Sequence, residues 1–238
     1  MSHVRITVVG GGCYGIRQTR SLLKAMDAGK IAGGTIVVVD RNVEPPAAAE
    51  FAGERRVKTI VSDWLSYLLR YFLDGEISAG DQLIPAHIAP HLLFDLTAEY
   101  LRKRDGIEVR QVSVESVFGL PFEKASGSVR YISAAAWLCP FSCIEPAICP
   151  AIRSERTWDL SKLVPEKMSD DADAVVVYKT EHYAWGVGSI PVSGILNSLS
   201  GLEELIEASG KNIIRIGVAT TSNCHGVVGL MHVSHIRK

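Results

Sequence analysis

Short apolar runs alternate with amphipathic stretches along the first half of the chain. Val4–Val9 (VRITVV) and residues 35–39 (TIVVV) are β-branched and bounded by glycines, the pattern of strands buried on both faces. Between them Ile16, Leu22, Leu23 and Met26 recur at helical spacing. Residues 59–62 predict a third short strand, and Asp63 caps a helix with Trp64, Leu65, Leu68, Leu69 and Phe72 on one face. Residues 82–86 predict a fourth strand, with Pro85 at its end. A helix carrying Leu92, Leu93, Leu96, Tyr100 and Leu101 follows, then a fifth strand over 108–114. Such β-α alternation predicts an α/β protein with a doubly wound, mostly parallel sheet.

The rhythm breaks after residue 113. Two β-like runs, 112–118 and 129–135, flank the polar segment 123–128 and predict an inserted hairpin. Residues 161–173 are polar and read as a surface connection. A strand is expected over 174–178. The aromatic, glycine-broken run 182–188 reads as an edge strand rather than a cover for a flat ring. Ser200 and Glu203 form a capping box that opens a helix carrying Leu202, Leu205 and Ile206, closed by Gly210. A last strand over 212–220 then runs into the polar cluster 221–226.

Gly10, Gly12 and Gly15 satisfy G-x-G-x-x-G between the first strand and the first helix. Gly10 permits a tight turn, Gly12 lets a pyrophosphate approach the backbone, and Gly15 lets helix and strand pack closely. The helix start, with Cys13 and Tyr14, offers N–H groups and the positive dipole end to phosphate. Asp40 ends the second strand, where a carboxylate accepts from both ribose hydroxyls and disfavours a 2′-phosphate. The neighbouring Arg41 weakens that preference for NAD over NADP. S-adenosylmethionine, or no ligand at all, remains open at such a turn.

The strings VVGGGCYG, VVVD and TIVSD within residues 4–63 resemble the NAD-binding Rossmann family, and within it the compact NAD-binding regulatory domains of potassium-uptake systems. That resemblance covers about a quarter of the chain. It implies a parallel, doubly wound, Rossmann-like sheet and an NAD-like ligand, and it implies no reaction. The resulting architecture is a Rossmann-like sheet with an inserted hairpin and Cys-rich loop. Residues 1–120 form the dinucleotide unit, 121–172 the insertion, and 173–238 the elements completing the sheet.

The 238 residues carry 25 Lys+Arg against 26 Asp+Glu, a net charge of -1 that lacks the basic excess of a nucleic-acid binder. No apolar run reaches the roughly 20 residues of a membrane span. A strand beginning at Val4 leaves no room for a secretion signal, so a cytoplasmic location is expected. The expected partners are a small-molecule substrate or a redox partner protein, and self-association into a homo-oligomer stays open.

In a reducing compartment, clustered cysteines point to metal or redox chemistry. Cys139, Cys143 and Cys149 are spaced C-x3-C-x5-C among Pro140, Pro146 and Pro150, which forbid a continuous helix. Thiolates gathered on such a loop favour a cation, iron–sulfur over zinc, with Cys224 as fourth ligand and His225 as its substitute. Burial of three free thiols is the competing reading. Arg153 and Arg156 either grip an anion or are solvated, and Glu145 is either a proton carrier or exposed. His87, at a strand's carboxyl end, and His225 are the catalytic candidates. Three functions follow: an NAD-linked oxidoreductase with a Cys-ligated metal centre, a non-catalytic NAD-binding redox sensor with structural metal, and an S-adenosylmethionine-dependent transferase.

Overall fold

The computed structural model describes residues 4–140 and 142–235. The chain divides into two compact units, Met1–Ala89 with Glu181–Leu196 and Pro90–Thr180 with Asn197–Lys238. In chain order the first unit runs β1 (Val4–Val9), α1 (Cys13–Asp27), β2 (Gly34–Asp40), α2 (Pro46–Glu50), β3 (Val57–Val61), α3 (Trp64–Asp74) and β4 (Gln82–Ile84). The second unit supplies α4 (Leu92–Arg102), β5 (Ile107–Val112), β6 (Phe122–Ser126), β7 (Val129–Ser133), β8 (Ile148–Cys149), β9 (Ser154–Glu155), α5 (Leu160–Lys167) and β10 (Ala174–Lys179). The chain returns to the first unit with β11 (Glu181–Ala184) and β12 (Val187–Pro191). It ends with α6 (Val192–Ala208), β13 (Ile213–Thr221) and β14 (His225–His235).

The first sheet has the order β11-β12-β4-β1-β2-β3. Its β4-β1-β2-β3 part is parallel, with Val8 opposite Val38 and Val38 opposite Thr59, while β12 and β11 add antiparallel strands at one edge. Ile6, Val8, Leu22, Ile36, Val38 and Ile84 are fully buried, which explains why β1 and β2 read as unbroken apolar runs. Asp81, buried in this unit, accepts from the Arg5 and Ser78 N–H groups and from the Tyr71 hydroxyl, so its burial is compensated.

The second sheet has the order β10-β13-β14-β7-β6, with β5 also on β14. β10 lies parallel to β13, and its other pairings among the described residues are antiparallel. β13 flanks β14 along its length, and β7 and β5 share its other side. Phe118, Ile132, Leu160, Val164, Met168, Ala219 and Val228 pack together against it.

This architecture overturns the expectation of a doubly wound, mostly parallel, Rossmann-like sheet. Of the described residues 29% are helix and 33% strand, in mixed sheets with many antiparallel pairs. β5, expected as a fifth parallel strand, pairs antiparallel with β14. The hairpin is formed by β6 and β7 around Gly127 (φ 59°), so the polar stretch expected as its turn is largely its first strand. A helix, α5, stands where a surface connection was expected, with the Asp159 carboxylate accepting from the Ser161 N–H. Ser200 and Glu203 lie inside α6, which starts at Val192, and so do not cap it.

Candidate functional site

Two regions gather the residues with chemistry, one in each unit. In the first unit the glycine turn joins β1 to α1. Gly10 has φ 96°, a conformation that side chains resist. A Cβ at Gly15 would stand 1.8 Å from the Gly10 carbonyl oxygen, so glycine there is a packing requirement. Gly12 differs, because nothing lies within 4 Å of where its Cβ would be and its φ of -81° suits any residue. Gly12 precedes α1 without a side-chain cap, and no acid occupies the helix's first turn.

Around this turn stand most of the sequence-predicted ligand residues. Asp40 is buried; one carboxylate oxygen accepts the Gly11 N–H at 2.5 Å and the other the Asn42 N–H at 2.8 Å. Its first duty is therefore to hold the turn, and each oxygen retains acceptor capacity for a hydroxyl. The Ala47 N–H donates to the Gly11 carbonyl at 3.0 Å, fixing α2 against the same loop. Arg41 lies over the Trp64 ring at 5.6 Å, and that ring is 3.8 Å from the Cβ position of Gly10. The buried Trp64 Nε1 has no hydrogen-bond partner. Cys13 is exposed. Tyr14 meets the His87 ring at 5.9 Å, and Gln18 Nε2 lies 3.2 Å from His87 Nε2. Desolvation lowers the His87 pKa, although the residue as a whole is exposed.

In the second unit the loop 139–153 folds onto the turn between β13 and β14. Glu145, at φ 50°, fastens it. Its carboxylate accepts from the Ser222 hydroxyl at 2.6 Å, the Asn223 N–H at 2.8 Å and the Cys224 N–H at 3.2 Å. Arg156 Nη1 donates to the Glu145 and Pro146 carbonyls at 2.8 and 3.0 Å, which secures the loop backbone. The Cys143 N–H closes a turn on the Pro140 carbonyl, and the Glu145 N–H donates to Cys143 Sγ at 3.4 Å.

The four cysteines fare unequally. Cys139 is half-buried, and burial first, then the neighbouring thiols of Cys143 and Cys149, push its pKa up. Cys149 is buried in β8. Cys224 is buried too; its sulfur accepts the Trp158 indole N–H at 3.3 Å, and burial pushes its thiol up to about 11. Among the described residues no group of three or more His, Cys, Asp or Glu side chains is placed to hold one metal ion. The thiols of 139, 143 and 149 are thus neighbours without forming a ligand shell. His225 Nδ1 lies 3.0 Å from the Ser133 hydroxyl, and burial lowers the ring's pKa against the pull of Glu145.

Sequence reasoning left Glu145 as a proton carrier or an exposed acid, and missed Ser222 and Asn223 as its partners. The available signal was the polar run 221–226 joining two apolar runs, which marks a turn with N–H groups to spare.

No curated protein and no solved structure matches the chain. A family described as "Uncharacterized protein, C-terminal domain" matches residues 92–234, from the first residue of α4 almost to the end of β14. Since that span is more than half of the chain and holds the loop 139–153 together with the turn that secures it, the protein belongs to this C-terminal domain family.

Proposed function

We propose that this chain binds an NAD-like dinucleotide on the glycine turn of its first unit and serves NAD-linked redox chemistry. The carrying observation is Gly12. Gly10 and Gly15 are required by backbone conformation and packing, whereas neither constrains Gly12, whose open side admits a phosphate to the backbone. Two further features support the reading. The start of α1 bears no acid or side-chain cap, and Asp40 keeps free lone pairs.

A bound nicotinamide dinucleotide supplies hydride transfer. The chain's own residues bind and orient. The N–H groups at the start of α1 receive the pyrophosphate, Asp40 receives ribose hydroxyls, and Tyr14 and His87 wall one side of the turn. A metal at Cys139, Cys143 and Cys149 forms no part of this reading.

NADH fluorescence titration tests it. Saturable binding is expected for the native chain, and a loss of at least tenfold for Gly12→Val, whose branched side chain fills the open space. Far-ultraviolet circular dichroism should show the variant folded. Binding of S-adenosylmethionine in place of NADH, or no response of NADH binding to Gly12→Val, would overturn the reading.

A further inference from the structure

We propose that Cys139 and Cys143 form an oxidisable dithiol whose closure into a disulfide, by a small-molecule disulfide oxidant, releases Glu145 from the turn between β13 and β14. The inference concerns the second unit alone and stands independently of dinucleotide binding.

The two sulfurs flank a hydrogen-bonded turn, since the Cys143 N–H donates to the Pro140 carbonyl at 2.9 Å. Both residues are partly exposed and within reach of an oxidant, whereas Cys149 is buried and its backbone is fixed by pairing with Ser154. Cys224 is engaged with the Trp158 indole. That leaves one accessible pair in this unit, on described residues that take part in no sheet pairing.

The chemistry balances. Cys143 Sγ attacks the S–S bond of the oxidant, forming a mixed disulfide and expelling one thiolate. Cys139 Sγ then attacks the Cys143 sulfur and expels the second thiolate. Two electrons pass from the protein dithiol to the oxidant, and the two thiol protons end on the two released thiols.

The turn at 222–224 is coupled to this pair through Glu145. Its N–H donates to Cys143 Sγ, and its carboxylate carries Ser222, Asn223 and Cys224. Glu145 holds a left-handed backbone conformation, which a non-glycine residue keeps only while its surroundings enforce it. Turning Cys143 Sγ towards Cys139 withdraws the acceptor of the Glu145 N–H. The backbone then relaxes, and the carboxylate leaves the turn.

The test treats the reduced full-length chain with oxidised glutathione, under conditions free of added metal. Tryptic peptide 131–153 should lose two hydrogens without retaining glutathione, with the link assigned between Cys139 and Cys143. Amide exchange at Asn223 and Cys224 should then rise about tenfold, as expected when a partly buried charged acceptor is withdrawn. Cys139→Ser and Cys143→Ser should keep slow exchange under oxidant, and Glu145→Gln should exchange fast in both redox states. Any of four outcomes would overturn the proposal: no link, a link through Cys149, a correct link with unchanged exchange, or reduced protein that holds zinc or iron on these thiols.

Discussion

The glycine turn of the first unit and the cysteine loop of the second are both irregular, yet they are held in opposite ways. The glycine turn is fixed by its own backbone: Gly10 bends it, Gly15 admits the helix, and the single side chain Asp40 closes it from the next strand. The cysteine loop has no such local logic. It is fixed by side chains: Glu145 reaches a turn some 78 residues further on, and Arg156 holds the Glu145 and Pro146 carbonyls. A backbone-fixed turn is a rigid platform for a ligand. A loop tied down mainly through side-chain contacts is easier to open locally than a turn fixed by its own backbone.

The contrast can be broken at its strongest point first. Gly15→Ala places a Cβ against the Gly10 carbonyl and should cost about 3 kcal/mol or more, read as a shift of the urea midpoint. If the first unit accepts it without loss, the turn is not backbone-fixed. Next, Glu145→Gln keeps the shape of the tether but removes its charge, and should cost about 2 kcal/mol in the same assay. Gly12→Ala sharpens the comparison from the other side. It should change stability by less than about 1 kcal/mol, because open space surrounds it, while weakening NADH binding. The smallest effect concerns pH. Burial lowers the His225 pKa below its ordinary 6.5, so the unfolded chain takes up the proton more readily than the folded one. The stability contributed by the neutral ring is full above pH 6.5 and is lost as pH falls through the lower folded value. His225→Asn should flatten that part of the profile of unfolding free energy against pH.

The sequence made the first unit legible in part, because the information there is local. VRITVV, the glycine spacing and TIVVV lie within 40 residues, and each element follows from its own composition. Strand position predicts His87 at the carboxyl end of a strand, and its ring lies 5.9 Å from that of Tyr14 in the first turn of α1. The second unit resisted because its deciding contacts are distant. Nothing in residues 107–112 announces that their partner lies at 230–235. β14 is interrupted by Gly226 and Gly229, which suppress strand signals, yet Gly229 is glycine because a Cβ would come within 2.5 Å of the Phe94 ring. Pro165 within α5 hid a helix. The cysteine spacing suggested a ligand shell, and it is the Glu145 contacts, invisible in spacing, that define the loop.

β14 pairs with β13, β7 and β5, so three neighbours depend on the last strand of the sheet to be synthesised. On the ribosome, β5 and the β6–β7 hairpin emerge long before it and must wait with open edges. This layer therefore closes only once residue 235 has emerged, and the strand edges of β5 and the β6–β7 hairpin stay unpaired on that side until then.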